Sequence, residues 1–493
     1  MKRLICLWAM MLWISPLQAE YHPDRGQDDI RYLGVESYQD ILIQNWAGNV
    51  SFTPDKIFYP KTVDEVQRII KDAYQKKFKI SMIGKGHSWN PLMHGSDYLI
   101  STKDLKGIHI DPEALTATVQ AGATIKEVDI ALSNMGLVFP CNVVGTSDLT
   151  YGGVMATGSH GSGRSCGVMS DYIESMEIID SKGNLKLYSD ETVGSETMKY
   201  AKISLGMLGF IYKITFKVVK NYQTLVTDRY VTMDNLMSEL QHTLKTQDAV
   251  EVLWFPYTDK VLIKSRVKTE RPLPEPGRFS SIKETVKNEA FYYFFHYGLF
   301  PLMNQVPAST PYLIRTFAKM IFPESQYVTD INSANHYFDE GHRYPINESE
   351  IAIPFDLDDM SPIAKGWFAM VDQVKEEART GQYRLNIIVH MRFIAGSTLP
   401  MSPSYGNTNT CYMDFGNYFQ TPGWFDISEK IWRTWKEIPG VKLHWAKDMI
   451  NFGDIDVRSM YGEQTINKFL DLRQAMDPDG MFTNAHMKKM FRI

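Results

Sequence analysis

Residues 145–163 read GTSDLTYGGVMATGSHGSG, with glycine at 145, 152, 153, 158, 161 and 163 among small hydroxyl residues and one histidine, His160. Glycine carries no Cβ, so a backbone built from it can lie directly against another surface. A stretch this poor in bulk predicts main chain laid along a flat or extended ligand, with Thr150, Thr157, Ser159 and Ser162 supplying hydrogen bonds. A glycine-rich surface loop is the plainer reading. Two other segments share the habit: KISMIGKGHSWNP (79–91) breaks from a short strand at Gly84-Lys85-Gly86-His87-Ser88, and SLGMLGFIYKITF places Gly206 and Gly209 just before a strand. Successive N–H groups in such turns can face one concavity and hold an anion such as a pyrophosphate. GKGHS is neither a Rossmann fingerprint nor a P-loop, since the further glycine, acidic residue or Gly-Lys-Ser/Thr that those need does not follow. By itself it is a weak signal and reads better as a tight turn with a satisfied histidine.

The elements around these loops can be read from local signals. Thr62 and Glu65 form a capping-box pattern ahead of apolar Val66, Ile69, Ile70 and Ala73, which predicts an amphipathic helix before the KISMIG strand. A second box at Thr124 and Glu127 opens a helix with Val128, Ala131, Leu132 and Met135 on one face and a stop at Gly136. DYLIS, ATVQAG, SMEIIDS, GNLKLYS and GFIYKITFKVV read as strands, with a turn at Lys182-Gly183-Asn184. The N-terminal half is therefore α+β. Composition changes near residue 225, and the aromatic-rich segment 291–322 reads as helices of a second domain or as a surface that leans on a membrane or partner.

With 493 residues, 44% of them hydrophobic, the chain can bury a large core in two or three domains. A net charge of −5 gives no basic excess for nucleic acid, so small or neutral partners are expected. Residues 1–19 place Lys2 and Arg3 before an apolar run, then Pro16 and Ala19, the layout of a secretory signal peptide cleaved after Ala19. That implies a periplasmic or secreted protein; an uncleaved anchor is the alternative. Cleavage removes Cys6 and leaves Cys141, Cys166 and Cys411, an odd set from which no disulfide framework and no zinc site can be argued.

The three glycine segments, in this order, resemble the FAD-binding domain of the vanillyl-alcohol oxidase type. LHWAKD (443–448) and LRQAMDPDGMFTN (472–484) narrow the resemblance to the sugar 1,4-lactone oxidases, with their gulonolactone-, arabinonolactone- and alditol-oxidising members. The resemblance implies an α+β fold: a two-part FAD-binding domain over 20–225, a substrate or cap domain over 226–440, and a C-terminal segment, 441–493, returning to the flavin. It implies FAD held by Ile83, Gly84, Lys85, Gly86, His87, Ser88, Thr150, Gly153, Thr157, Gly158, Ser159, His160, Gly161, Ile211 and His444, with His87 bonded to the flavin 8α-methyl. A cysteine link, known in some relatives, is not expected from Cys141. The imidazole suits such a bond because it is a nucleophile when neutral.

On the substrate side the resemblance implies catalytic roles for Lys447 and Arg392. Where the family shows a carboxylate two residues before the arginine, this chain has His390, which can bond hydroxyls and act as a base but supplies no fixed negative charge. A histidine of the alditol oxidases corresponds to Met413, and Glu350 of EIAIPF is read as structural. The expected substrate is thus a small sugar lactone or related polyol rather than a plain alditol, with O2 or another electron acceptor. A quinone- or cytochrome-linked dehydrogenase, and a non-catalytic flavin- or carbohydrate-binding protein, are the alternatives.

Overall fold

Thr62 Oγ1 accepts the Glu65 N–H at 3.3 Å and Glu65 accepts the Thr62 N–H at 3.2 Å, so the first capping box starts helix Val63–Lys76 where the sequence places it. Its buried face is Val66, Ile69, Ile70 and Ala73. Burying each of the three larger side chains contributes roughly 1.5–3 kcal/mol. The face packs on a five-stranded sheet in which Lys56–Phe58 and Ile80–Ile83 both run parallel to Tyr98–Ser101, the strand between them. The computed structural model describes residues 30–141, 143, 147–272, 294–321, 327–333, 345–449 and 455–493. The signal-like segment 1–19 lies outside them.

A second five-stranded sheet is antiparallel in the order Leu185–Ser189, Ile173–Ile179, Phe210–Lys217, Thr116–Gln120, Ile108–Asp111. Helix Ile125–Asn134 packs beside it and buries Ile125, Val128 and Leu132. Met135, expected on that face, is 52% exposed, because the helix ends one residue earlier and the apolar period ends with it. The C-terminal segment folds back onto this half: Tyr461, Ile466, Phe469 and Phe491 join the core of Val119 and Ile214.

The third sheet has eight strands, with Ala249–Trp254, Val389–Ala395, Asn409–Tyr418 and Ile346–Phe355 as successive antiparallel neighbours. Side chains alternate across a sheet, so register decides which residues share a face. Val252, Met391, Met413 and Ile351 stand in one cross-strand row, buried with helices Ser361–Arg379 and Trp424–Trp435. His390, Asp414 and Glu350 pair in the next row, and Arg392, facing Glu251 and Tyr412, in another. One face is thus a helix-covered apolar core, and the other carries ionisable groups. The described part of the aromatic segment forms helices Phe300–Gln305 and Thr310–Ile321 over a small apolar cluster, with Phe294 and Tyr312 exposed. Among the described residues no helix is long and apolar enough to cross a membrane.

Candidate active site

The three glycine segments meet at one cavity. Its lining includes Ile83 to Ser88, then Thr150, Gly152, Gly153, Thr157, Ser159 and His160, then Gly206, Gly209 and Ile211. Gly84 is required by a close approach: a Cβ there would lie 2.1 Å from Thr150 Oγ1. Gly86 turns the chain at φ +68°, which leads His87 into the lining. The His87 ring stacks on Trp46 at 4.9 Å between centroids, and Trp46 meets Trp89 edge-on at 5.9 Å. Trp89 is fixed by its Nε1 donating to Ile346 O and its main-chain N–H to Ala446 O, which ties this loop to both the large sheet and the C-terminal segment.

The polar face of the eight-stranded sheet forms the facing wall, with Glu348, Glu350, His390 and Arg392 in the lining. Arg392 Nη2 donates to Glu350 Oε1 at 2.5 Å and to Asp414 Oδ2 at 2.7 Å. His390 Nδ1 is 3.8 Å from the same Asp414 oxygen. Lys447, on the turn after edge strand Lys442–Leu443, pairs with Glu348 Oε2 at 2.6 Å and stands 4.5 Å over the Trp89 ring. His160 is the link between the walls: its ring stacks on Tyr412 at 3.4 Å, Nδ1 lies 3.0 Å from Gly161 O, and Nε2 lies 3.3 Å from Glu350 Oε1. Both ring nitrogens face acceptors, the Gly161 carbonyl on one side and the Glu350 carboxylate on the other.

Burial governs the charges on this wall. It opposes ionisation of Glu350, yet the Arg392 guanidinium and His160 hold that carboxyl well below its usual range. Burial pushes Asp414 up to about 8, helped by the like charges of Glu348 and Glu350 and opposed by Arg392. One guanidinium shared by two carboxylates leaves a single proton on the weaker acid. Burial takes His444 down to about 3 and lowers His160, so His444 is neutral at working pH. The cations Arg392 and Lys447 are each matched by a carboxylate.

Of the residues singled out in the sequence, Ile83, Gly84, Lys85, Gly86, His87, Ser88, Thr150, Gly153, Thr157, Ser159, His160, Ile211, His390, Arg392, His444 and Lys447 all line this cavity. Gly158 and Gly161 do not: Gly158 makes the turn at φ +64°, and Gly161 braces His160 from behind. Glu350, read as structural, lines the cavity and supplies the carboxylate that His390 does not. Met413 is fully buried on the apolar face, so its identity carries no message about substrate; its neighbour Asp414 is the residue that reaches the polar wall. Glu348, Trp46 and Trp89 were missed, although Glu348 stands two residues before Glu350, at the spacing that puts both on one strand face.

The residues fit a flavin dinucleotide. A Cβ at Gly153 would meet only Thr150 Oγ1, at 3.3 Å, and one at Gly206 only Met82 Cε, at 3.4 Å, so side chains there would occupy the cavity instead of packing against protein. Arg392 Nε and Glu350 Oε2, on the facing wall, are buried polar atoms with no partner in the protein, which suits a polar ligand beside the cofactor.

Comparison with known proteins agrees with this geometry. An FAD-binding domain model matches residues 54–187, and a D-arabinono-1,4-lactone oxidase model matches residues 214–490. The chain is 26% identical to L-gulonolactone oxidase of Scyliorhinus torazame, covering 93% of this chain and 99% of the relative. It is 23% identical to D-arabinono-1,4-lactone oxidase of Kluyveromyces lactis, covering 90% and 95%. Among solved structures, cholesterol oxidase from B. sterolicum superposes with a TM-score of 0.72 at 16% identity, over 94% of this chain and 98% of that one. Xylooligosaccharide oxidase from Myceliophthora thermophila superposes at 0.62 and 14%, over 90% and 93%; these two likenesses show the mixed α+β fold alone. With over half its length matched by that family's model and a glycine-lined cavity faced by a polar strand wall, the chain is a member of the D-arabinono-1,4-lactone oxidase family, an FAD-linked oxidase.

Proposed function

We propose that the enzyme oxidises a neutral sugar 1,4-lactone of the arabinono- or gulonolactone kind, or a closely related sugar alcohol, and passes the electrons to O2 to give hydrogen peroxide. The observation that carries this reading is the opening of the Arg392–Glu350 and Lys447–Glu348 pairs onto the same cavity as the three glycine loops. Because both cations are already matched by carboxylates, the wall favours an uncharged polyhydroxyl ligand over a sugar acid. Bound between the walls, FAD supplies the two-electron oxidant for the substrate carbon. Arg392 and Lys447 donate hydrogen bonds to substrate oxygens and hold them at the wall. His390 takes the hydroxyl proton, its Nδ1 lying 3.8 Å from the Asp414 carboxyl. His160 and Glu350 offer a second place for a proton beside the reacting region.

The covalent attachment of FAD through His87 belongs to the same proposal. It is supported by the stack on Trp46, which holds the imidazole at the cavity edge. Export, with cleavage after Ala19, rests on the N-terminal charge and apolar run. The test is anaerobic: purified protein is mixed with a panel of sugar 1,4-lactones, alditols and aldoses, and the yellow flavin absorbance is followed. At least one lactone should bleach it, air should restore it with release of peroxide, and colour should stay in acid-precipitated wild type but leave His87→Ala. If no sugar bleaches the flavin, the proposal fails.

A further inference from the structure

Cys141 and Cys166 flank the glycine-rich stretch 145–163 in sequence and come together in space. Cys166 Sγ donates to the carbonyl of Pro140, the residue before Cys141, at 3.4 Å, and each thiol shifts the other's ionisation. The Cys166 N–H donates to Gly163 O at 3.0 Å, and a Cβ at Gly163 would lie 2.8 Å from Cys166 Sγ, so this thiol sits directly under the end of the glycine-rich stretch. Neither cysteine lines the cavity, and both are buried, at 2% and 8% exposure. The third cysteine, Cys411, lies apart from the pair, fully buried on the apolar face of the large sheet. A pair placed at the two ends of a ligand-binding segment, in contact with its backbone and away from its ligand, suits a cross-link rather than catalysis.

We infer that Cys141 and Cys166 form a disulfide that closes residues 142–165 into a loop and clamps the flavin-facing glycine turn. This goes beyond the proposed oxidation and does not depend on it. Either thiol can lead once it is ionised on the folding chain, and the balance is the same with Cys166 first. The Cys166 thiolate attacks one sulfur of an external disulfide such as oxidised glutathione and releases one thiol. Cys141, deprotonated in turn, then displaces the second. Two chain thiols become one S–S bond, and the external disulfide is reduced to two thiols. Exchange takes place on the folding chain, before the pair is covered.

The test produces the chain 20–493, with FAD, once in an oxidising and once in a reducing cell compartment, then alkylates it under denaturing conditions and maps the peptides. The oxidised product should give one peptide linked through Cys141 and Cys166, with Cys411 as the sole alkylated thiol; the reduced product should have all three alkylated. Closing a loop of this length raises the thermal midpoint by roughly 3–6 °C. Cys141→Ser and Cys166→Ser should each abolish that difference, and the double Cys141→Ala, Cys166→Ala chain should melt at the lower value from both compartments. Three alkylated thiols in the oxidised product, or a link through Cys411, overturns the inference. Because the peptide map is read on wild type, it decides the matter even where a serine variant fails to fold, and none of these readouts requires sugar turnover.

Discussion

The two walls of the cavity are built in opposite ways. The glycine wall comes from three contiguous segments whose backbone does the work, through close approach at Gly84 and a left-handed turn at Gly86. The strand wall takes single side chains from separate strands: Glu348 and Glu350 from one, His390 and Arg392 from another, Asp414 from a third, with Lys447 added by the C-terminal turn. A backbone wall is damaged by adding atoms. A side-chain wall is damaged by removing them.

That contrast can be broken experimentally. The largest effect is expected on the strand wall: Arg392→Ala leaves Glu350 and Asp414 without their shared cation, at a cost of roughly 3–5 kcal/mol in folding stability. It should also lower turnover about a hundredfold or more. Denaturant unfolding and anaerobic bleaching rates measure the two losses; a variant of wild-type stability and rate would show that this wall is not where substrate is held. On the glycine wall, Gly84→Ala should cost roughly 1–3 kcal/mol through overpacking and shed flavin, with no charge altered. Thr150→Ala in the same chain should recover most of the loss, because the nearest remaining atom, Thr150 Cβ, is then 3.2 Å away. Flavin content by absorbance is the readout, and a double variant no better than the single would place the damage elsewhere.

A third effect is a pH slope. Asp414 holds its proton to about pH 8 in the folded protein, against an ordinary value of 3.8. Between those values the folded state binds more protons than the unfolded one, so this group makes stability fall as pH rises from about 4 to about 8, and its contribution is flat above that. His444, at about 3 when folded against 6.5, does the reverse: stability is lost as pH falls from 6.5 toward 3. Asp414→Asn should remove its falling contribution between about pH 4 and pH 8 and leave the course below pH 4 unchanged, as read from unfolding midpoints across pH. An unchanged upper slope would mean that another group carries it.

What the sequence disclosed follows the same division. Capping boxes and glycine loops are local, and Thr62, Thr124, Gly84 and Gly153 could be placed without knowing what lies opposite. Arg392 and Lys447 were legible only through resemblance. Glu350 was taken as structural because its partner is 42 positions away and comes beside it only when two strands pair through a third. Met413, singled out through resemblance, lies one step from Asp414, and in a strand one step reverses the face. The nearness of Cys166 to the chain at Cys141 was hidden for a related reason: their spacing resembles no motif, and only the folded structure brings Cys166 to the carbonyl of Pro140.

The alternation of the Val389–Ala395 and Ile346–Phe355 strands has a consequence for how such an enzyme can diverge. Glu348, Glu350, His390 and Arg392 point away from the helix-packed core, whereas Met391 and Ile351 point into it. Substrate range can therefore drift by replacements at every second position without disturbing the helix-packed core, and among these sites His390 is the one that can change without breaking the buried Arg392–Glu350 pair. An insertion of one residue in either strand has the opposite outcome: it exchanges the two faces at once, so length in these strands is held more tightly than composition.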